Sequence, residues 1–151
     1  MQICPSILEP TTDGLLSQIN KLSPYIKYFQ IDIADGIYVP NKTVQVNEIV
    51  KTIEQFNNEP MKQCVFDFHL MVSNFESDIK KLNELKKIIT IKNIFIHLSA
   101  VSNFELRISD LSSLPIGLTL NPQDQVANLT SHYALDIIPS IQIMSVIPGV
   151  Q

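Results

Sequence analysis

Apolar residues in this 151-residue chain fall into short continuous runs, separated by stretches in which they recur at helical spacing. The runs at 2–7, 27–33, 62–70, 92–98, 115–120 and 141–146 predict β-strands. Between them, Leu15, Leu16, Ile19 and Leu22 share one helical face, as do Val46, Ile49, Val50 and Ile53, and again Phe75, Ile79 and Leu82. Ser73 with Glu76, and Ser102 with Glu105, have the spacing of a capping box at a helix start. A weaker pattern near 103–111 predicts a short fourth helix, and Pro122 with Asp124 suits the first turn of a fifth.

The predicted order is βαβαβαβαβαβ, which calls for a parallel sheet with right-handed crossovers. A doubly wound sheet and a (β/α)₈ barrel both satisfy it. A whole barrel typically takes about 250 residues and at least about 200, so on the barrel alternative the six strands and five helices would be a partial barrel. No linker, low-complexity segment or second domain interrupts residues 1–151, which read as one domain. The sixth strand ends almost at the last residue, so the expectation is a piece of a longer barrel. An incomplete barrel leaves two open sheet edges, from which poor solubility, self-association as a homo-oligomer, or a longer parent chain follows.

Composition narrows the function classes. With 45% hydrophobic and 17% charged residues the chain is of globular type. A net charge of −4 offers no general attraction for nucleic acid or membrane. It leaves room for a phosphorylated small molecule, because phosphate sites are local and often built from backbone N–H groups. No apolar run reaches the ~18 residues of a membrane span. The start lacks a basic segment followed by an apolar one, so no signal peptide is expected. Cys4 and Cys64 lie in apolar runs, without zinc-site spacing, and read as buried free thiols. The expected compartment is the cytoplasm.

Strand residues alternate faces. Gln30 and Asp32 share one face of strand 2 and Phe29, Ile31 and Ile33 the other; Asp67 and His69 share one face of strand 3 and Phe66, Phe68 and Leu70 the other. The apolar faces should meet the helices, and the polar faces should point into the barrel near its carboxyl end, joined by His97 from strand 4. A glutamine, two aspartates and two histidines converging from three neighbouring strands could bind a divalent metal and exchange protons. Each residue alone has a plainer explanation: a histidine hydrogen-bonded in the core, Asp67 orienting a neighbour, Asp35 capping a turn with Gly36, Met71 and Met144 as core.

Taken in order, the motifs resemble those of the ribulose-phosphate 3-epimerase family. They are Cys4-Pro5-Ser6-Ile7-Leu8, the segment Ile31 to Asn41 (IDIADGIYVPN), Asp67 to Val72 (DFHLMV), Ile96-His97, Gly117 to Pro122 (GLTLNP) and Met144 to Gly149 (MSVIPG). The resemblance implies a (β/α)₈ isomerase of the pentose phosphate pathway that epimerises C3 of ribulose 5-phosphate to give xylulose 5-phosphate. Two aspartates act as opposed bases, and a divalent metal of the Zn, Fe or Mn class stabilises the 2,3-enediolate. By the same resemblance Asp32 is one base and a metal ligand, and His69 a metal ligand close to substrate. Ser6 contacts substrate, Met71 and Met144 border the enediolate, and Gly149 opens a substrate loop.

Departures from the family pattern accompany these matches. Gln30 stands where the family has a metal-binding histidine, Ala34 replaces a methionine, Ile37 a histidine, and Ile147 a polar or acidic residue. The family's seventh and eighth strands, with the second aspartate and the phosphate-binding backbone, find no counterpart in the 151 residues. Three readings therefore stand beside the pentulose epimerase: a hexulose-6-phosphate 3-epimerase, a non-catalytic relative that binds without turnover, and an unrelated doubly wound binding protein. For the 151 residues alone the expected activity is low.

Overall fold

The structure, a computed structural model, describes residues 3–56, 59–101, 113–125, 127 and 138–148. In chain order they form β1 (Ser6–Ile7), α1 (Thr12–Leu22), β2 (Tyr28–Ala34), α2 (Val46–Phe56), α3 (Glu59–Lys62), β3 (Val65–Met71), α4 (Phe75–Leu85), β4 (Thr90–His97), a 3₁₀ turn (Leu98–Ala100), β5 (Ile116–Leu120) and β6 (Ile141–Ile143). All six strands run parallel, and their spatial order is their sequence order. A doubly wound sheet reverses direction at a switch point. This sheet never does, so the architecture is a half-barrel of the (β/α) barrel class.

Side-chain chemistry divides the two sheet faces. Phe29, Ile31, Ile33, Phe66, Phe68, Leu70, Ile94, Ile96, Ile116 and Leu118 are buried in one cluster with Leu15 and Ile19 of α1, Ile49 and Ile53 of α2, and Ile79 and Leu82 of α4. The helices thus lie against the apolar face, as the alternation predicts. The inner face carries Gln30, Asp32, Asp67, His69, Asn93, His97 and Thr119. On β4 this parity depends on a register shift: Phe66 pairs with Ile91 but Asp67 with Asn93, so Lys92 is an extra residue. Beyond it, Asn93, Phe95 and His97 face inward. On β6, by contrast, Ile141 and Ile143 are exposed, as are Val146 and Ile147 beyond it.

Several expected boundaries move. Residues 62–64 are not strand: Lys62 closes α3, a single helical turn that no periodicity announces, and the chain turns before Val65. Strand 4 begins at Thr90 and yields to the 3₁₀ turn at Leu98. Strand 6 stops at Ile143. The capping box at Ser73 does not form. Asn74 occupies the N-cap of α4 without a side-chain bond, because the Ser73 hydroxyl is committed to Asp35. The expected helix at 103–111, the box at Ser102 and most of the fifth helix fall outside the described residues. Pro122 does begin a turn, in which the Asn121 N–H donates to the Asp124 carboxylate at 2.8 Å.

Candidate functional site

Asp32 occupies the inner face of β2 two residues before its end, and its carboxylate gathers three neighbours. The Ser6 hydroxyl of β1 donates to Oδ2 at 2.6 Å. The Gln30 side-chain amide donates to Oδ1 at 2.8 Å. His69 of β3, paired in register with Asp32, brings Nδ1 to 3.3 Å from the same Oδ1. Asp32 and His69 are both buried. The backbone beneath them is pinned by Thr43, whose buried hydroxyl donates to the Asp32 carbonyl and accepts from the Ala34 N–H, each at 2.8 Å.

From His69 a continuous polar chain crosses the carboxyl ends of the next strands. His69 Nε2 lies 2.8 Å from His97 Nε2. His97 Nδ1 lies 2.9 Å from Asn121 Oδ1, just past β5. The Asn121 amide donates to Ser99 Oγ at 3.1 Å, and Ser99 meets the Tyr38 hydroxyl at 2.7 Å. The Tyr38 ring also tilts against His97, with centroids 5.0 Å apart. Burial, and then the neighbouring His69, lower the His97 pKa to about 4, so His97 is neutral at pH 7.

The loop that carries Tyr38 is organised by Asp35. Its Oδ1 accepts the N–H groups of Ile37 and Tyr38, and its Oδ2 accepts the N–H and hydroxyl of Ser73. Burial alone would raise this carboxyl, but those four donors hold it down at about 2. Gly36 takes φ +78°, a conformation that favours glycine, and so lets the chain turn directly after Asp35. Asp35 caps its turn with Gly36, as its plainer explanation expects, and in addition ties the β2 loop to the β3 loop.

Asp67 stands apart from this group, contrary to the expected convergence of two aspartates. In register it sits beside Gln30, nearer the amino ends, where Tyr28 donates to Oδ2 and the Asn93 amide to Oδ1 at 2.8 Å. It orients its neighbours, as its plainer explanation has it. Burial and the Asp67 bond raise the Tyr28 phenol, and burial with the Asp67 charge raises Cys4 to about 11. Neither is a poised nucleophile at neutral pH. A cavity of about 580 Å³ at that end, lined in part by Tyr25, Lys27, Tyr28 and Lys92, contains no member of the polar chain.

The remaining expected residues divide. Met71 is buried with Ala34 and Val39 against Leu8 and Tyr38, forming an apolar patch at the carboxyl end. Met144 is half-buried, and its sulfur receives the Gln142 amide at 3.9 Å. Gly149 lies outside the described residues. Sequence reading missed Asn121, Ser99, Tyr38 and Thr43 as parts of the site. Asn121, directly after an apolar strand and before a proline, carried the one local signal.

The donor set gives a mixed fit to a divalent metal. Asp32 Oδ1 and His69 Nδ1 are separated by 3.3 Å, a spacing that two ligands with bonds of about 2.0–2.2 Å to one ion can have. The Gln30 amide reaches the same carboxylate oxygen. Among the described residues no cluster of three or more His, Cys, Asp or Glu side chains is arranged to hold an ion. The site therefore offers one carboxylate, one imidazole and a neutral amide.

Fold and site define a (β/α) barrel protein with a polar chain, buried at Asp32, His69, His97 and Asn121, at the carboxyl ends of its strands, where barrels carry their chemistry. Residues 2–151 match the family described as Ribulose-phosphate 3 epimerase family, and the chain belongs to it. Two curated relatives, both named ribulose-phosphate 3-epimerase, come from Helicobacter pylori strains J99 / ATCC 700824 and ATCC 700392 / 26695. Each is 28% identical over 151 residues, covering 99% of this chain and 64% of the relative. The chain thus spans less than two thirds of the length of the relatives it matches. None of the described helices is long and apolar enough to cross a membrane.

Proposed function

We propose that residues 1–151 form one domain, the amino-terminal portion of an epimerase barrel, and that the protein acts in the cytoplasm on a small phosphorylated ketose, with ribulose 5-phosphate as substrate. Asp32 is the base that removes the C3 proton from one face. The Asp32 carboxylate, buried beside a Ser6 hydroxyl and backed by His69, carries this reading. Ser6 and His69 contact the substrate near the reacting carbons. Met71 and Met144 keep water from the enediolate, which would otherwise be lost to side reactions, and Gly149 begins a loop beside the substrate.

Asp32 and His69 would hold a divalent cation of the Zn, Fe or Mn class, with Gln30 turning its amide oxygen as a weak third donor. When bound, such an ion supplies Lewis-acid stabilisation of charge on the enediolate oxygens. Gln30 motivates a second reading, a relative that binds the sugar phosphate without turnover, because its amide now hydrogen-bonds the oxygen a metal would take.

One base suffices for proton exchange even where inversion needs two. The test is deuterium incorporation at C3 of ribulose 5-phosphate in heavy water with added Mn²⁺ or Zn²⁺, followed by NMR alongside xylulose 5-phosphate formation. Exchange that falls by about 10²–10⁴ in Asp32→Asn is expected. Binding with no exchange favours the second reading, and neither binding nor exchange refutes both.

A further inference from the structure

We propose that Thr119 and Gln142 form a binding subsite for a hydroxyl group of the sugar chain, one layer closer to the barrel mouth than His69. The inference rests on the reading of the barrel interior as the site of a ketose phosphate.

The two residues are neighbours on the inner face. Thr119 of β5 pairs in register with His97 of β4 on one side and with Gln142 of β6 on the other. Residues paired in register point to the same side of a parallel sheet, so His97, Thr119 and Gln142 form one inward row. Gly117, two residues before Thr119, pairs with Phe95, and Phe95 pairs with His69. The row therefore lies one layer beyond His69, toward the carboxyl ends of the strands. A sugar chain with its reacting carbons at Asp32 and His69 passes it.

Each of the two residues holds a polar atom with nothing to bond. Among the described residues, Thr119 Oγ1 and Gln142 Oε1 are the buried side-chain polar atoms without a hydrogen-bond partner. Thr119 is 0% exposed, so bulk water does not serve its hydroxyl. Buried groups of this kind are costly to leave unmet, and folded proteins pair nearly all of them. Two orphaned groups side by side in the presumed substrate chamber point to a ligand group that meets both.

The chemistry of the pair selects that group. The Gln142 amide nitrogen lies 3.9 Å from the Met144 sulfur. Turned over, the amide would set its oxygen against a thioether, which has no hydrogen to give, so the oxygen is the free end. That oxygen only accepts, while the Thr119 hydroxyl both donates and accepts. A phosphate monoester is mostly a dianion at neutral pH and only accepts, so it would leave Gln142 unmet. A sugar hydroxyl accepts from Thr119 and donates to Gln142 together. Gln142 is half-buried on the edge strand β6, and among the described residues its amide has only the weak sulfur contact. It is the side chain free to move as the hydroxyl enters. Met144, to which that amide is joined, borders the reacting carbons on the same reading.

The test is calorimetric titration with ribulose 5-phosphate, beside thermal unfolding of the ligand-free chains. Thr119→Val and Gln142→Leu remove the polar atoms at nearly constant shape. Each should weaken binding by about 2–10-fold. Neither should lower the unfolding midpoint, because an unpartnered polar group is being replaced by an apolar one. Thr119→Ser keeps the hydroxyl and should bind as the wild type does. Full affinity in the valine and leucine variants overturns the subsite and leaves the proposed function in place. A serine variant as weak as the valine variant overturns it too, since the hydroxyl is then not what the ligand meets. Lower midpoints with unchanged affinity also overturn it and assign the two groups to the fold. Weakened binding in both apolar variants, with no deuterium exchange at C3 in the wild type, supports the subsite and counts against Asp32 as the base. A wild type that does not bind ribulose 5-phosphate overturns both.

Discussion

Asp35 and Ser73 are joined twice: Asp35 Oδ2 accepts both the backbone N–H and the hydroxyl of Ser73, each at 2.7 Å. The bond pair crosses from the loop after β2 to the loop after β3, and Asp35 Oδ1 holds Ile37 and Tyr38 from the other side. Asp35→Ala is expected to free the loop that carries Tyr38, break the Tyr38–Ser99 contact and cost about 1–2 kcal/mol. Acid should reproduce the loss. The folded pKa of about 2 lies below the ordinary 3.8, so the unfolded chain binds more protons between those values. Stability from this group is complete above about pH 4 and fades as pH falls toward 2. Urea unfolding at pH 6 and pH 3 measures it. An Asp35→Ala chain with the same acid sensitivity as the wild type would remove this explanation.

Thr43 stands under the Asp32 carboxylate. Its hydroxyl satisfies the Asp32 carbonyl and the Ala34 N–H together, and it is 4% exposed. Thr43→Val keeps the shape and strands both backbone groups, which should cost about 2–3 kcal/mol. Thr43→Ser keeps the hydroxyl and should cost about 1 kcal/mol or less for the lost methyl. The order of the two unfolding midpoints decides the point. A valine variant as stable as the serine variant would mean that the backbone groups find other partners.

Much of this arrangement was legible before any coordinates, for a physical reason. On β2 and β3 the two faces differ sharply in chemistry, so alternation alone assigns Phe29, Ile31 and Ile33 to the helices and Asp32 and His69 to the interior. The family motifs lie on those same strands. What was not legible depends on closure between distant segments. The contact of Asn121 with His97 needs the ends of β4 and β5 side by side. The Ser73–Glu76 spacing suits a capping box, yet a carboxylate 38 residues away claims the serine. The extra residue at Lys92 leaves no mark in the apolar pattern, and it sets which β4 side chains face inward. Asp67 shares a strand face with His69, but alternation does not say that Tyr28 and Asn93 will hold it in the layer below.

Gly117 marks a close approach inside the sheet. A Cβ there would press against Ser140 Oγ and come within 2.7 Å of the Phe95 ring. Phe95 belongs to the inner face of β4 and pairs in register with both His69 and Gly117. Gly117→Ala is expected to cost about 1–3 kcal/mol through overpacking. Ser140→Ala should relieve only part of that, because the ring remains. Phe95→Leu combined with Gly117→Ala should be less damaging than the two single costs summed, since the pair is in contact. Thermal unfolding of the four chains measures the coupling, and strict additivity would contradict it.

Gln30 is the departure that bears most directly on the chemistry. Its neutral amide donates to Asp32 Oδ1, the oxygen that also faces His69. An imidazole at the same position offers a ring nitrogen as a much better donor to a transition metal than an amide oxygen. Gln30→His is therefore expected to raise affinity for cobalt(II) or zinc by about tenfold or more, given that even outer partners of such sites are worth about 10–100-fold. Gln30→Leu should leave Asp32 without that hydrogen bond and should not gain affinity. Cobalt absorption titrations, with chelator added to reverse the signal, read the change. An unchanged cobalt affinity in Gln30→His would show that Asp32 and His69 are not held in a metal-binding geometry, and the site would then be left to hydrogen-bond a sugar phosphate without a cation.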